Sequence, residues 1–356
     1  MKINFILTGL YKSGGMKVIF KYGEELKNSG NDVFFYRRLL PYNFMRGKSF
    51  LLDVFKLYIR KIKNFSKKGG APNDFYHYSF RIKSVPLINS LFVRKADVVI
   101  ATEWVTAYSV FHLPKNRGKK YYFIQGYEDW RSNTALVDKS YTLPLNRIAV
   151  SGYLQNFIKE KFNSDSQVVL NGVEEKEFRC SYYVSSKEII TITFVYSSHE
   201  SKNSQAALNV CDKIHQKYPD VEFISFSYDK VKLPPYIKFF HLPDQRSIAD
   251  IYEKTDIFLF TSFSEGFGLP PAEAMISGCA VVTTTVGAVP DYSVHLESAI
   301  HVENYSPDTM VRWVEYLIDN RSEIERIGSN ASTYVKTKLN WHLSVEKFEQ
   351  ILRNGV

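Results

Sequence analysis

The chain has 356 residues, more than one hydrophobic core of roughly 250–300 residues accommodates, so two domains are expected. With 45% hydrophobic and 23% charged residues, disorder and collagen-like repeats are excluded. Three isolated cysteines (Cys180, Cys211, Cys279) exclude a disulfide framework and a cysteine-based zinc site, and no apolar run approaches the ~18 residues of a membrane-spanning helix. The net charge of +9 suits nucleic acid, an anionic membrane face or a phosphorylated ligand equally well.

Residues 1–15 hold an apolar run broken by Asn4 and ended by Lys12, with no small-residue cleavage site. They read as a first strand rather than a signal peptide, and the chain is expected to be cytoplasmic. Buried strands are predicted at 3–8, 33–36, 97–101, 121–125, 148–151 and 168–170, with helices at 16–28 and 153–162. A second series has strands at 189–196, 221–225, 237–242, 257–261 and 280–284, and helices at 205–217, 247–254 and 271–277. Unalternating apolar strands between helices mean parallel sheets covered on both faces, hence two doubly wound α/β domains. The expected division is 1–172, a polar linker 173–188, 189–338, and a terminal helix, 339–356, placed to cross back to the first domain. Helices at 308–319, 322–338 and 341–353 end the chain with no strand between them.

Residues 46–68 carry eight Lys/Arg and one acid, Asp53. On a helical wheel Leu51, Phe55, Tyr58, Ile62 and Phe65 share one face, and Lys56, Arg60, Lys63 and Lys67 another. Two readings fit: a helix lying on an anionic membrane surface, and an ordinary surface helix with a solvated charged side. No RNA- or DNA-binding motif accompanies it, so no nucleic-acid partner is expected.

The most informative stretch is Thr261-Ser-Phe-Ser-Glu265-Gly266-Phe267-Gly268-Leu269-Pro270-Pro271-Ala-Glu273-Ala-Met275. A buried strand runs into a loop with two glycines, then into a helix entered through prolines, whose missing N–H groups cost nothing in a first helical turn. A well-made helix start accounts for Pro271 and Glu273 but not for Glu265 or the glycines. Gly266 and Gly268 permit positive φ and close approach of backbone to a ligand. The loop follows the carboxyl end of a parallel strand, where open α/β sheets bind ligands. Two carboxylates eight positions apart are suited to accept hydrogen bonds from a hydroxyl-rich ligand.

This segment closely resembles the E-x₇-E signature of retaining GT-B glycosyltransferases, particularly family 4. The resemblance implies that Glu265 approaches the donor sugar, that Glu273 binds the nucleotide ribose, and that Gly266, Phe267, Gly268 and Leu269 line the donor site. Downstream, SGCAVVTTTVGAVPDY is similar to the family's next strand and loop, placing Gly287 close to the donor. Gly14 and Gly15 resemble the Gly-rich first loop of the family's N-terminal domain; glycines at a helix N-terminus expose amides to an anion, and a plain tight turn explains them equally well. Val168-Val-Leu-Asn-Gly-Val-Glu174 with Phe178 resembles the N-G-V…F segment before the family's linker.

The family usually places an Arg just after the first strand of the second domain and a Lys about five residues later. Here Lys202 matches the Lys, a point charge suited to leaving-group phosphate. Ser197 or Ser198 stands in place of the Arg, with His199 nearby as partial compensation or as a solvated loop histidine. Lys119-Lys-Tyr-Tyr-Phe-Ile-Gln125-Gly126-Tyr127-Glu128-Asp129-Trp130 is similar to the F-I-Q-x-Y-E segment of a subgroup containing bacterial rhamnosyltransferases. It makes Gln125 and Glu128 candidate catalytic groups, and Tyr127 and Trp130 candidate stacking rings or core.

None of the sixteen aspartates lies two residues from another, so there is no D-x-D for a metal-bound diphosphate, and the eight histidines lack H-x-H or H-E-x-x-H spacing. No metal and no cofactor are expected. The expected activity is metal-independent, retaining transfer of a hexose or deoxyhexose from a nucleotide-sugar to a glycan or lipid-linked acceptor of a bacterial-type surface polysaccharide, at the inner membrane face if 46–68 meets lipid. The alternatives are a GT-B-fold partner without turnover, and a sugar-nucleotide epimerase.

Overall fold

The structure, a computed structural model, describes residues 1–11, 13–40, 81–128, 134–178, 187–303 and 306–355. The expectations placed on 46–68, Asp129, Trp130 and Cys180 fall outside these residues. The chain divides into two compact units, Met1–Val150 with Leu154–Val169 and Val345–Val356, and Ser151–Tyr153 with Leu170–Ser344.

The first unit is built on seven parallel strands: β1 (Lys2–Leu7), β2 (Asp32–Arg38), β3 (Ile82–Val85), β4 (Val98–Ala101), β5 (Lys119–Ile124), β6 (Asn146–Ala149) and β7 (Gln167–Val168), in the order β3-β2-β1-β4-β5-β6-β7. The chain order reverses between β1 and β4, which makes a crevice at their carboxyl ends. The inner strands are buried along most of their length, as their apolar sequences require: β4, Val-Val-Ile-Ala, is wholly enclosed. Helix α1 (Gly14–Asn28) starts at Ser13, whose hydroxyl accepts from the Met16 N–H at 3.1 Å.

The second unit repeats the design with six parallel strands: β8 (Thr191–Val195), β9 (Glu222–Ser227), β10 (Ile237–His241), β11 (Ile257–Phe260), β12 (Ala280–Thr284) and β13 (Ile300–Val302). Their order is β10-β9-β8-β11-β12-β13, reversing between β8 and β11. Ile192, Phe194, Leu259, Val282 and Ile300 from this sheet pack against Val210, Ile214, Val314, Leu317, Ile324 and Ile327 from the covering helices. Each such buried side chain contributes about 1.5–3 kcal/mol.

Both doubly wound sheets are as expected, but the sequence reading missed two strands and three helices, one of them the four-residue helix Val289–Tyr292. Strands β3 and β13 are edge strands of four and three residues, too short to show a hydrophobic pattern. Helices α2 (Trp104–His112) and α3 (Thr134–Tyr141) were also absent from the expectation. In α2 five of nine residues are buried and the polar positions too few to mark a 3.6-residue period. Strand β7 pairs over two residues only, shorter than the run at 168–170 suggested.

The terminal helix, Trp341–Arg353, sends its second half into the first unit. There Phe348 packs on Tyr22 at 4.7 Å and on Phe123 at 5.2 Å between ring centroids. Glu349 accepts a hydrogen bond from the Asn31 amide at 3.0 Å, and the Tyr121 hydroxyl donates to the Ile351 carbonyl at 3.0 Å.

Candidate active site

The second unit brings two loops together at its strand-order reversal. The first follows β8 and contains Ser198, His199 and Lys202; the second follows β11 and contains Glu265. Lys202 Nζ lies 2.6 Å from Glu265 Oε1, and the Ser262 hydroxyl donates to the same oxygen at 2.9 Å. The Glu265 side chain is largely enclosed while Lys202 remains 39% exposed, so the cation stays open to a ligand. The loops are also joined through backbone: the Phe263 N–H donates to the Ser201 carbonyl at 2.7 Å, and the Thr261 hydroxyl to the Asn203 carbonyl at 3.0 Å.

The Lys202 loop is shaped by its own hydroxyls. The Ser204 hydroxyl accepts from the Ser197 N–H at 2.8 Å and donates to the Ser197 carbonyl at 2.9 Å. Asp229 accepts from the Ser198 N–H at 2.7 Å. His199 precedes the short turn Glu200–Lys202; its Nδ1 accepts from the Ser201 N–H and lies 2.8 Å from the Ser201 hydroxyl. Where the resembling family has an arginine, this loop has serines that fix backbone rather than supply charge.

The motif helix α7 (Leu269–Ile276) begins after Gly268, at φ +90°. A side chain there is strained by conformation, and its Cβ would sit tightly, 3.1 Å from the Tyr292 hydroxyl. That hydroxyl donates to the Gly268 carbonyl at 2.8 Å. Gly287, at φ +60°, has no room for a Cβ: one would meet Glu265 Cβ at 2.9 Å. Gly287 therefore acts by letting the β12 loop seat the backbone of Glu265, and the Ala288 N–H donates to the Phe267 carbonyl at 3.0 Å. Gly266 is not among the glycines at positive φ, which corrects the expectation for that residue: Gly268 alone in this loop makes the left-handed turn. Phe267 is buried against Tyr292, 5.5 Å between ring centroids, so it supports the loop from inside. Leu269 is the first residue of the helix and is half-buried.

Glu273 is half-buried on α7, within 3.5 Å of the Tyr252 hydroxyl. Two tyrosines that sequence reasoning gave no role thus brace the motif, Tyr252 from α6 (Gln245–Lys254) and Tyr292 from α8 (Val289–Tyr292). Both hydroxyls are pushed well above the ordinary tyrosine range, first by burial and then by nearby carboxylates: Glu273 for Tyr252, and Glu265, Asp291 and Glu273 for Tyr292. They stay protonated donors at any physiological pH. Tyr292 had a signal in the VGAVPDY segment, but nothing in the spacing showed that it reaches back to Gly268.

In the first unit, Gln125 follows β5 and its amide lies 3.4 Å from where a Cβ on Gly15 would stand. Gly14 and Gly15 are the first residues of α1, and Gly15 lies beside Gln125. Glu128 is held by the Trp104 N–H at 3.4 Å. Burial pushes its carboxyl well above the usual range, and neighbouring Glu103 pushes it further. Glu103 precedes α2, is raised by burial too, and accepts a hydrogen bond from the Tyr11 hydroxyl. Sequence reasoning missed Glu103, 25 positions before its partner and outside every motif. Tyr127 is not a free stacking ring: its hydroxyl donates to Asp138 at 2.7 Å and Lys161 sits 4.4 Å from its centroid.

No group of three or more His, Cys, Asp or Glu side chains among the described residues is arranged to hold a metal ion. No helix among them is long and apolar enough to cross a membrane.

Comparison with known proteins finds glycosyltransferases. Residues 183–334 match the model of glycosyl transferases group 1. The chain is 25% identical over 188 residues to a D-inositol 3-phosphate glycosyltransferase of Corynebacterium kroppenstedtii, covering 46% of this chain and 41% of that one. It is 23% identical to one of the subunits of human phosphatidylinositol N-acetylglucosaminyltransferase, over 87% of this chain and 67% of the other. The match thus spans less than half the length of the inositol-phosphate relative. Among solved structures, Anabaena HepE in complex with UDP-glucose superposes with a TM-score of 0.74 at 14% identity, covering 99% of this chain and all of HepE. The chain accordingly has two Rossmann-like α/β domains of the GT-B kind, and the segment that matches the glycosyl transferases group 1 model, 183–334, holds Lys202, Glu265 and Glu273.

Proposed function

We propose that the protein is a glycosyltransferase that takes a sugar from a nucleotide-sugar donor bound at the carboxyl ends of β8 and β11. The observation that carries this reading is the 2.6 Å pairing of Lys202 with Glu265 on two braced loops at the strand-order reversal. Lys202 is the group to neutralise leaving-group phosphate, as a compact cation with an exposed head. Glu265 accepts hydrogen bonds from the transferred sugar, and Glu273 from the ribose. Before the donor arrives the lysine neutralises the glutamate; the diphosphate then competes for the lysine and frees the carboxylate for the sugar.

Transfer proceeds in this reading without a divalent metal and with retention of anomeric configuration, onto a glycan or lipid-linked acceptor in surface-polysaccharide synthesis. Support for the metal-free half is Lys202 and the missing D-x-D; support for retention is the E-x₇-E resemblance. HepE was solved with UDP-glucose, which makes UDP-sugars the first donors to try. The basic, amphipathic sequence of 46–68 supports a membrane-borne acceptor. Flotation with anionic vesicles at low and high salt tests that, because charge attraction weakens as the Debye length falls from ~10 Å at 0.1 M to ~3 Å at 1 M.

A thermal-shift screen against sugar nucleotides tests the core of the proposal. A true donor at one hundred times its dissociation constant stabilises by ~2.7 kcal/mol. No shift with any nucleotide-sugar overturns it. Labelled donor then separates the outcomes: labelled glycan marks a transferase, an altered nucleotide-sugar an epimerase, and binding without turnover a non-catalytic partner. Chelator and product NMR decide the metal and the anomeric outcome.

A further inference from the structure

Beyond the carboxyl ends of β11, β12 and β13 lies a pocket of about 590 Å³. Ser262, Phe263, Thr284, Thr285, Val286, Val302 and Glu303 line it, and none of Lys202, Glu265 or Glu273 does. We propose that this pocket binds a neutral sugar residue of the acceptor, next to the sugar being transferred; this rests on the transferase reading above.

The chemistry of the walls selects the ligand. Phe263 is 56% exposed, a large aromatic ring left at the surface of a domain that buries most of its others. A pyranose presents an apolar C–H face to such a ring and a belt of hydroxyls around its edge. The belt is met by the Thr285 hydroxyl, which donates and accepts, by the Ser262 and Thr284 hydroxyl oxygens, whose protons are committed within the protein and which accept, and by the acceptor-only carboxylate of Glu303. No Lys or Arg lines the pocket and one carboxylate does, so phosphate is repelled where a neutral polyol is not. The volume falls within the roughly 300–1,000 Å³ of small-ligand pockets.

The walls are also preset. The Thr284 hydroxyl donates to the Ser262 carbonyl at 2.7 Å, and the Phe263 backbone is tied to Ser201. Ser262 is the shared element: it lines this pocket and its hydroxyl donates to Glu265 at 2.9 Å. A sugar seated here is one side chain away from the carboxylate assigned to the donor sugar, the adjacency that transfer between two sugars needs.

The experiment is saturation-transfer NMR of the full chain with methyl α-glucoside, methyl α-mannoside and methyl N-acetyl-α-glucosaminide, with and without saturating UDP, beside a UDP thermal shift. The expected result is saturation of at least one glycoside that survives UDP. Its apparent affinity falls roughly tenfold in Phe263→Ala, about the cost of losing an aromatic contact and its buried area. Thr285→Val, at an exposed position, weakens it further while the UDP shift stays at the wild-type value. No glycoside binding, displacement by UDP, or indifference to Phe263→Ala overturns the inference and leaves the nucleotide reading standing. Glycoside binding lost in Phe263→Ala, with no nucleotide bound by the wild type, upholds the sugar site and sinks the transferase reading.

Discussion

The two sheets share a strand order and reverse it at the same place, yet the carboxylates at the two reversals are handled in opposite ways. In the second domain Glu265 is paired with Lys202 at 2.6 Å and accepts from a serine hydroxyl. In the first, burial raises both Glu103 and Glu128 and the neighbouring Glu103 pushes Glu128 further, so proton uptake rather than a counter-ion relieves the charge on Glu128. One reversal holds a carboxylate beside a lysine; the other holds two buried carboxyls with raised pKa. The fold supplies the crevice, and the side chains at its rim decide its chemistry.

The largest effect that would break this contrast is on Lys202. Its replacement by Ala is expected to lower transfer by about 10²–10³, as for loss of one stabilising donor at a developing charge, with chromatographic product assay as the readout. If Lys202→Ala kept full turnover, the charged site would be structural only. Next, Gly287→Ala forces a Cβ to 2.9 Å from Glu265 Cβ at φ +60°. A loss of about 1–3 kcal/mol is expected from strain of that kind, read as a lower denaturation midpoint together with reduced transfer. Glu273→Ala should weaken nucleotide binding by about tenfold, ~1.4 kcal/mol, measured by calorimetry, while Tm moves little because the residue is only half-buried.

The smallest effect sharpens the first-domain half. A carboxyl raised above its ordinary 4.5 contributes stability that is present below that value and lost as pH rises through the raised one. Glu128→Gln, which cannot ionise, should match wild type near pH 4 and exceed it at pH 8. The gain at pH 8 is expected near 2–4 °C in Tm, about 1 kcal/mol for a domain of this size. Equal melting curves at both pH values would mean that the pair carries no strain.

What was readable in the sequence followed from local physics. Buried parallel strands are uninterrupted apolar runs, so most of both sheets stood out, and the E-x₇-E loop announced itself through glycines and prolines that a plain helix start leaves unexplained. What was hidden depends on distance along the chain. Nothing near Glu128 points to Glu103, and nothing near Gly268 points to Tyr292, because those contacts are made by the sheet. Gly266 shows the opposite failure: its residue type permits a left-handed turn, and the loop places that turn two residues later.

Residues 345 onward, packed on Tyr22 and Phe123, carry one more consequence, which concerns time rather than geometry. The first domain is discontinuous, and the helix that covers one face of its core is synthesised after the whole of the second. At ~5–20 residues per second the ribosome needs roughly ten to thirty seconds to travel from one part to the other. During that interval Tyr22 and Phe123 lack their cover, and the second domain, complete by residue 344, is the one free to fold first. A fragment ending at residue 172 keeps all seven strands of the first sheet but never acquires Phe348, so it should behave as an aggregation-prone, incompletely packed unit rather than as an independent domain.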